Sequence, residues 1–242
     1  MRRLSIVVVL CSSVAIAAEE PWQLDDKFRA AKPEDRKDAE TTPPPPGAIV
    51  LFDGHDFSKW LKRDGKSEVK WTLRDGGVME GVRGHGDIIT KETFTGKFKL
   101  HVEFRVPYEP NGKGQDRGNS GVYVQGRYEV QILDSYGLKS EKNDCGAIYG
   151  VAAPSVNACK APTVWQSYDI DYTAPKFENG KKTEPARMTV YQNGVKIQDN
   201  VSIPVDNTTS GLGGDPATPG PIMLQDHGHP VQFRNVWLLP VK

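Results

Sequence analysis

"GNSGVYVQGRYEVQILD", Gly118 to Asp134, is the stretch whose reading decides the fold. It divides into two short strands around a glycine-containing turn, and the second carries polar and apolar residues in alternation. Side chains on a strand point to opposite faces with a period of two, so Val130 and Ile132 face one way and Glu129 and Gln131 the other. One face suits a core. The other suits water or a polar ligand, and Tyr123, in register with Gly121 and Gln125, belongs to that second face.

Similar β-type runs follow one another along the chain, among them "AIVLF" at 48–52, "FKLHVEFRV" at 98–106, "WQSYDIDYT" at 165–173 and "VQFRNVWLLPV" at 231–241. Clusters of Gly, Pro, Asn and Asp separate them, which is turn chemistry. In "YQNGVKI", Asn193-Gly194 suits a two-residue hairpin turn whose central residues both take positive φ. No span holds a sustained 3.6-residue apolar period, and no internal repeat is evident. About ten strands in one domain predict an all-β fold, an antiparallel sandwich or jelly roll.

The 242 residues include 24 glycines and 18 prolines, and apolar types make up 37%, a balance that favours strands and turns over a helical bundle. Formal charge is zero, from 31 basic and 31 acidic residues, so no long-range field draws the chain to nucleic acid or an anionic membrane. The first residues join two arginines to a short apolar run and then to Ala15-Ile16-Ala17, the small-x-small pattern of an export signal spanning 1–17. That run falls short of the roughly 20 residues a membrane span needs. The mature protein is expected to be periplasmic or secreted. Cys11 lacks the small residues before it that a lipoprotein signal requires. Residues 18–47 are rich in charge and end in "TTPPPPG", which predicts a tail and stiff linker ahead of a domain at 48–242. In an oxidising compartment, Cys145 and Cys159 read as a disulfide closing one loop.

Several ordered motifs resemble one family. "LFDGHDFSKW", "GNSGVYVQGRYEVQILD", "GAIYG", "WQSYDIDY", "VYQNGV" and "IMLQDHGHPVQFRNVWL" are similar to the 3-keto-disaccharide hydrolase domain, over about Ile49 to Val241. The resemblance implies a concanavalin A-like jelly-roll sandwich of two antiparallel sheets that acts on glycosides oxidised to a ketone at C3. An added "TAPKFENGKKTEP" segment departs from the pattern.

Glucanases of this architecture set several acids along one strand, but here Gln131 stands where a second acid would be. A retaining glycosidase needs two carboxyls about 5.5 Å apart, and Glu129 has no such neighbour on its strand. A 3-keto sugar has an acidified hydrogen at C2, so one base could start an elimination that water then completes. Glu129 is the expected base, with Asp134 and His227 as alternatives, unless Glu129 serves only as an ion-pair partner of Arg127 or Arg105. Arg105, Asn119 and Ser120 are candidates for ring hydroxyls or the C3 oxygen, Gln131 and Gln225 for vicinal hydroxyls, and Tyr123 and Tyr149 for sugar stacking. The residues fix no cofactor. A divalent metal on Asp226, His227 and His229 is the one candidate, able to stabilise an enolate. The rivals are a carbohydrate-binding module on the same fold and a conventional β-glucanase.

Overall fold

The computed structural model describes residues 21–26 and 28–241. The two runs of the opening stretch form neighbouring antiparallel strands, Asn119–Val124 and Tyr128–Leu133, with Tyr123 opposite Glu129 and Gly121 opposite Gln131. Met223–Leu224 pairs with the far edge of the first, and Ile88–Thr90 and Trp60–Lys62 complete a five-stranded sheet. The export signal at 1–17, with Cys11, lies outside the described residues.

The facing sheet has eight strands and is centred on Lys97–Arg105, which pairs with Gln166–Thr173 on one side and Gln232–Val241 on the other. Ala186–Gln192 and Val195–Ile203 extend it as the expected hairpin, where Asn193 and Gly194 take φ of 53° and 79°. The added segment forms a separate two-stranded hairpin, Lys176–Glu178 with Lys181–Glu184.

Alternation explains why the layers close. Phe98, Leu100, Val102 and Phe104 enter the core from the large sheet, and Val122, Val124, Val130 and Ile132 from the small one. Each such side chain contributes on the order of 2 kcal/mol by leaving water. Buried tyrosines cross-link the layers with satisfied hydroxyls: Tyr168 donates to Gln131 O at 2.6 Å and Tyr172 to Gln125 Oε1 at 2.6 Å. The architecture is a concanavalin A-like jelly-roll sandwich, and no helix among the described residues is long and apolar enough to cross a membrane.

Two expectations need correction. Cys145 and Cys159 are free, buried thiols, not a disulfide. The Gln192 Nε2 donor lies 3.5 Å from both sulfurs, and Cys145 also meets the Tyr168 hydroxyl at 3.1 Å, so polar partners hold the pair inside the core. The expected tail also does not stand free, because its described part from Pro21 to Gly47 lies along the domain. Ala39 N donates to Trp165 O at 2.9 Å, Trp237 Nε1 donates to Thr42 O at 3.0 Å, and Thr41 Oγ1 and Thr42 N both donate to Glu103. Composition described a segment with no core of its own; it missed that buried groups on the large sheet would need its donors.

Candidate active site

The outward face of the small sheet bears a pocket of about 120 Å³. Parity puts Asn119, Gly121 and Tyr123 of one strand beside Glu129 and Gln131 of the next, and Gln225 follows from the third strand, its N–H donating to Gly121 O at 3.1 Å. Gly121 matters for space. A Cβ there would sit 2.4 Å from Glu129 Oε1 and 2.9 Å from Tyr123 Cε2, so only glycine leaves room for the carboxyl to lean across the strand.

Glu129 is 3% exposed, and its carboxyl is hydrogen-bonded to Tyr123. Burial pushes its pKa up from 4.5 to about 8, against the lowering influence of that bond, while the Asp87 charge adds to the rise. Tyr123 is fully buried, and its phenol is pushed far above 10 by burial and by Glu129. Its hydroxyl donates to Thr209 O at 3.1 Å and accepts from Gln225 Nε2 at 3.0 Å. A phenol has one hydrogen, and here it rests on Thr209 O. Ionised Glu129 would instead take the phenol hydrogen for itself.

Amides build the opposite wall. Gln115 Oε1 accepts from Asn119 Nδ2 at 3.1 Å and from Gln131 Nε2 at 3.0 Å, which fixes all three side chains. Gln131 Oε1 is buried and has no hydrogen-bond partner. An unpaired buried acceptor costs about 1–3 kcal/mol, so this oxygen is suited to a donor hydroxyl on a ligand. Tyr149, Thr209, Ser210 and His227 form the rim. Burial and His229 lower the pKa of His227, which favours the neutral ring. Among the described residues no Lys or Arg lines the pocket, so its chemistry fits a neutral, hydroxyl-rich molecule.

Of the residues read from the sequence, Asn119, Tyr123, Glu129, Gln131, Tyr149, Gln225 and His227 meet in this pocket. Four others do not. Arg105 lies on the large sheet, bonded to Gln232 Oε1 at 2.6 Å and stacked between Trp22 and Trp165. Ser120 points to the other face of its strand and donates to Gln225 O at 2.7 Å. Asp134 follows the strand end, where Arg117 Nη2 meets it at 2.5 Å; burial raises its pKa against that partner. His229 is paired with Glu109 at 2.6 Å outside the pocket. Asp226 accepts from the backbone N–H groups of Gly86 and Gly228, and among the described residues no group of three or more His, Cys, Asp or Glu could hold a metal. Neither expected arginine partner reaches Glu129: Arg127 donates to carbonyls at Gly213, Asp215 and Thr218, and Arg105 to Gln232.

Sequence reasoning missed Gln115, Thr209 and Ser210. They arrive on loops remote in sequence, with only the turn-rich "GKGQDRGNS" and "NTTSGLGG" as signals. Thr208 fastens the second loop, accepting from Glu129 N at 3.0 Å and donating to Arg127 O at 2.8 Å. Arg63 holds its tip through Ser210 O at 2.7 Å and Gly211 O at 3.0 Å.

Solved structures agree with this architecture. A Parabacteroides distasonis protein assigned as a glycosyl hydrolase superposes with a TM-score of 0.71 at 38% identity, covering 81% of this chain and 84% of its own. A second from that organism, also assigned as a glycosyl hydrolase, gives 0.58 at 23% identity over 81% and 94%, and supports the fold alone. No curated protein matches. Residues 47–239 match the family described as "3-keto-alpha-glucoside-1,2-lyase-like domain", and the chain belongs to that family.

Proposed function

We propose that this pocket cleaves 3-keto-α-glucosides by elimination across C1 and C2, followed by hydration. The observation that carries the reading is a single, deeply buried carboxyl, Glu129, in an otherwise uncharged pocket of amides and hydroxyls. Displacement by a carboxylate pair has no second acid here, whereas elimination needs one base, an oxyanion donor and a proton for the leaving group. The family description, a 1,2-lyase of 3-keto-α-glucosides, names the same bond change.

Ionised Glu129 takes the proton from C2, and the C–H pair becomes an enolate with its charge on the C3 oxygen. An amide hydrogen of Gln225 not committed to Tyr123 is suited to that oxygen. The pair then returns: C3=O re-forms, C1=C2 forms, and the C1–O bond breaks. The departing oxygen takes up a proton at the pocket mouth, where His227 faces solvent. Water adds back with its oxygen at C1 and a hydrogen at C2, so the net change is hydrolysis. The amino-terminal Arg2-Arg3, apolar run and Ala15-Ile16-Ala17 support a site of action in the periplasm or outside the cell.

The test follows aglycone release from methyl 3-keto-α-glucoside and from its unoxidised parent, with the reaction also run in heavy water. Cleavage of the oxidised compound alone, with deuterium at C2, is expected. Cleavage of the parent would make the protein a conventional glycosidase, and binding without cleavage would make it a carbohydrate-binding module.

A further inference from the structure

Arg63, Asp87 and Asp226 meet at one end of the small sheet because strand pairing brings them there. Lys62 and Leu224 flank Ile88 on its two sides. One step further along the antiparallel ladder, Arg63 and Gln225 flank Asp87, and Asp226 comes next. Arg63 N donates to Asp87 O at 2.8 Å. The Asp87 side chain is buried and uses both carboxylate oxygens: Oδ1 accepts from Asp226 N at 2.9 Å and Oδ2 from Arg63 Nη1 at 2.7 Å. Asp226 answers with its own carboxylate, which accepts from Gly86 N at 2.8 Å and from Gly228 N at 2.9 Å. The turn that presents His227 is thereby closed on itself and pinned to the Gly86-Asp87 segment. On the other side, the Arg63 guanidinium that meets Asp87 also holds the carbonyls of Ser210 and Gly211.

We propose that Asp87 is a positioning residue for the cleavage reaction assigned to Glu129, on which this proposal rests: its one carboxylate holds the two rim loops, 208–211 through Arg63 and 226–228 through Asp226 N, in a fixed relation to the base. Charge-assisted bonds to both oxygens of a buried carboxylate fix direction as well as distance. The pair also acts on the base by its charge. Asp87 adds to the rise of the Glu129 pKa, and on the Tyr123 phenol Asp87 acts upward and Arg63 downward. The titratable and charged groups about Glu129 are thus Tyr123, Asp87 with Arg63, and His227 with Asp226 beside it. Asp87 touches no ligand itself. It works through the loop that carries His227 and the loop that carries Thr209 and Ser210.

The experiment reads kcat/KM for methyl 3-keto-α-glucoside against pH, and amide exchange above pH 8, in the full-length protein and in Asp87→Asn, Asp87→Ala and Arg63→Ala variants. Removing the Asp87 charge in Asp87→Asn should move the midpoint near pH 8 down by about one unit, and removing the Arg63 charge should move it up. Opposite signs are what loosened packing alone would not produce. Plateau kcat/KM should fall about tenfold or more in each variant, since small displacements of a catalytic group cost that much. Asp87→Ala should raise exchange in both 208–211 and 226–228, and Arg63→Ala in 208–211 alone. The Arg63 side chain is 40% exposed, so its variant reports the midpoint whether or not the Asp87 variants fold. Midpoints unchanged in Asp87→Asn and Arg63→Ala, with kcat/KM within about twofold of the parent, overturn the role and leave the reaction standing. Exchange that rises in 226–228 alone when Asp87 is truncated overturns it equally. Absence of turnover in the parent protein overturns the reaction and the positioning role together.

Discussion

Glu129→Gln tests the fold and the chemistry at once, because the substitution keeps the shape of the side chain and removes only its titration. In the folded protein the carboxyl ionises near pH 8 and in the unfolded chain near 4.5, so the folded state holds the extra proton between those values. Stability associated with this group is therefore fully present below about pH 4.5 and is lost as pH rises through about 8. At about 1.4 kcal/mol per pH unit, that interval amounts to an upper bound of about 5 kcal/mol, reduced where water follows the charge into the pocket. Glutamine never ionises. Urea unfolding should find the two proteins within about 1 kcal/mol near pH 4 and the variant more stable by about 2–5 kcal/mol near pH 9. An equal difference at both pH values would refute the buried, uncompensated carboxyl on which the site depends. Activity adds a second sign. As a base, Glu129 must be ionised, so kcat/KM of the parent enzyme should climb about tenfold per unit below pH 8 and level off above it, while the variant loses about 10²–10⁴-fold. A profile that falls through pH 8 would instead make Glu129 the proton donor and neutral His227 the base.

Gly121→Ala places a methyl 2.4 Å from Glu129 Oε1, and overpacking there should cost about 1–3 kcal/mol and most of the turnover, read by thermal unfolding and kcat/KM. Gln131→Met removes the unpaired acceptor at near-constant volume and should raise KM about 10-fold, with a stability change below about 1 kcal/mol because the lost amide donors are partly offset by relief of an unsatisfied oxygen; an unchanged KM would remove Gln131 from the ligand. Thr41→Val takes one donor from Glu103, whose pKa burial would raise but which His101, Asn235 and Arg234 hold near about 2. Stability from Glu103 is present above about pH 4.5 and is lost as pH falls toward 2, so the variant should unfold earlier by about 0.5–1.5 kcal/mol at neutral pH and by less in acid.

Period-two alternation carried much of the fold in plain sight. It put Val130 and Ile132 inside and Glu129 and Gln131 outside, and it needed nothing beyond the pleat to do so. The same rule explains where the site reading failed. Ser120 and Arg105 were chosen as polar residues on strands, but Ser120 has the wrong parity and Arg105 belongs to the other sheet, and sheet membership depends on pairings between residues far apart in sequence. Gln115, Thr209 and Ser210 were invisible for a related reason, since loops carry no period. Tyr123 shows what the missing contacts add: its strand position was legible, yet the division of its one hydrogen between Thr209 O and Glu129 depends on a loop 86 residues away. That division couples two events. If ionising Glu129 draws the phenol hydrogen, Thr209 O loses its partner, and more of the hold on the loop tip then falls to Arg63 through the Ser210 and Gly211 carbonyls. Arg63→Ala should consequently raise amide exchange in 208–211 far more above pH 8 than below pH 6, whereas an increase independent of pH would show that the loop does not sense the carboxyl.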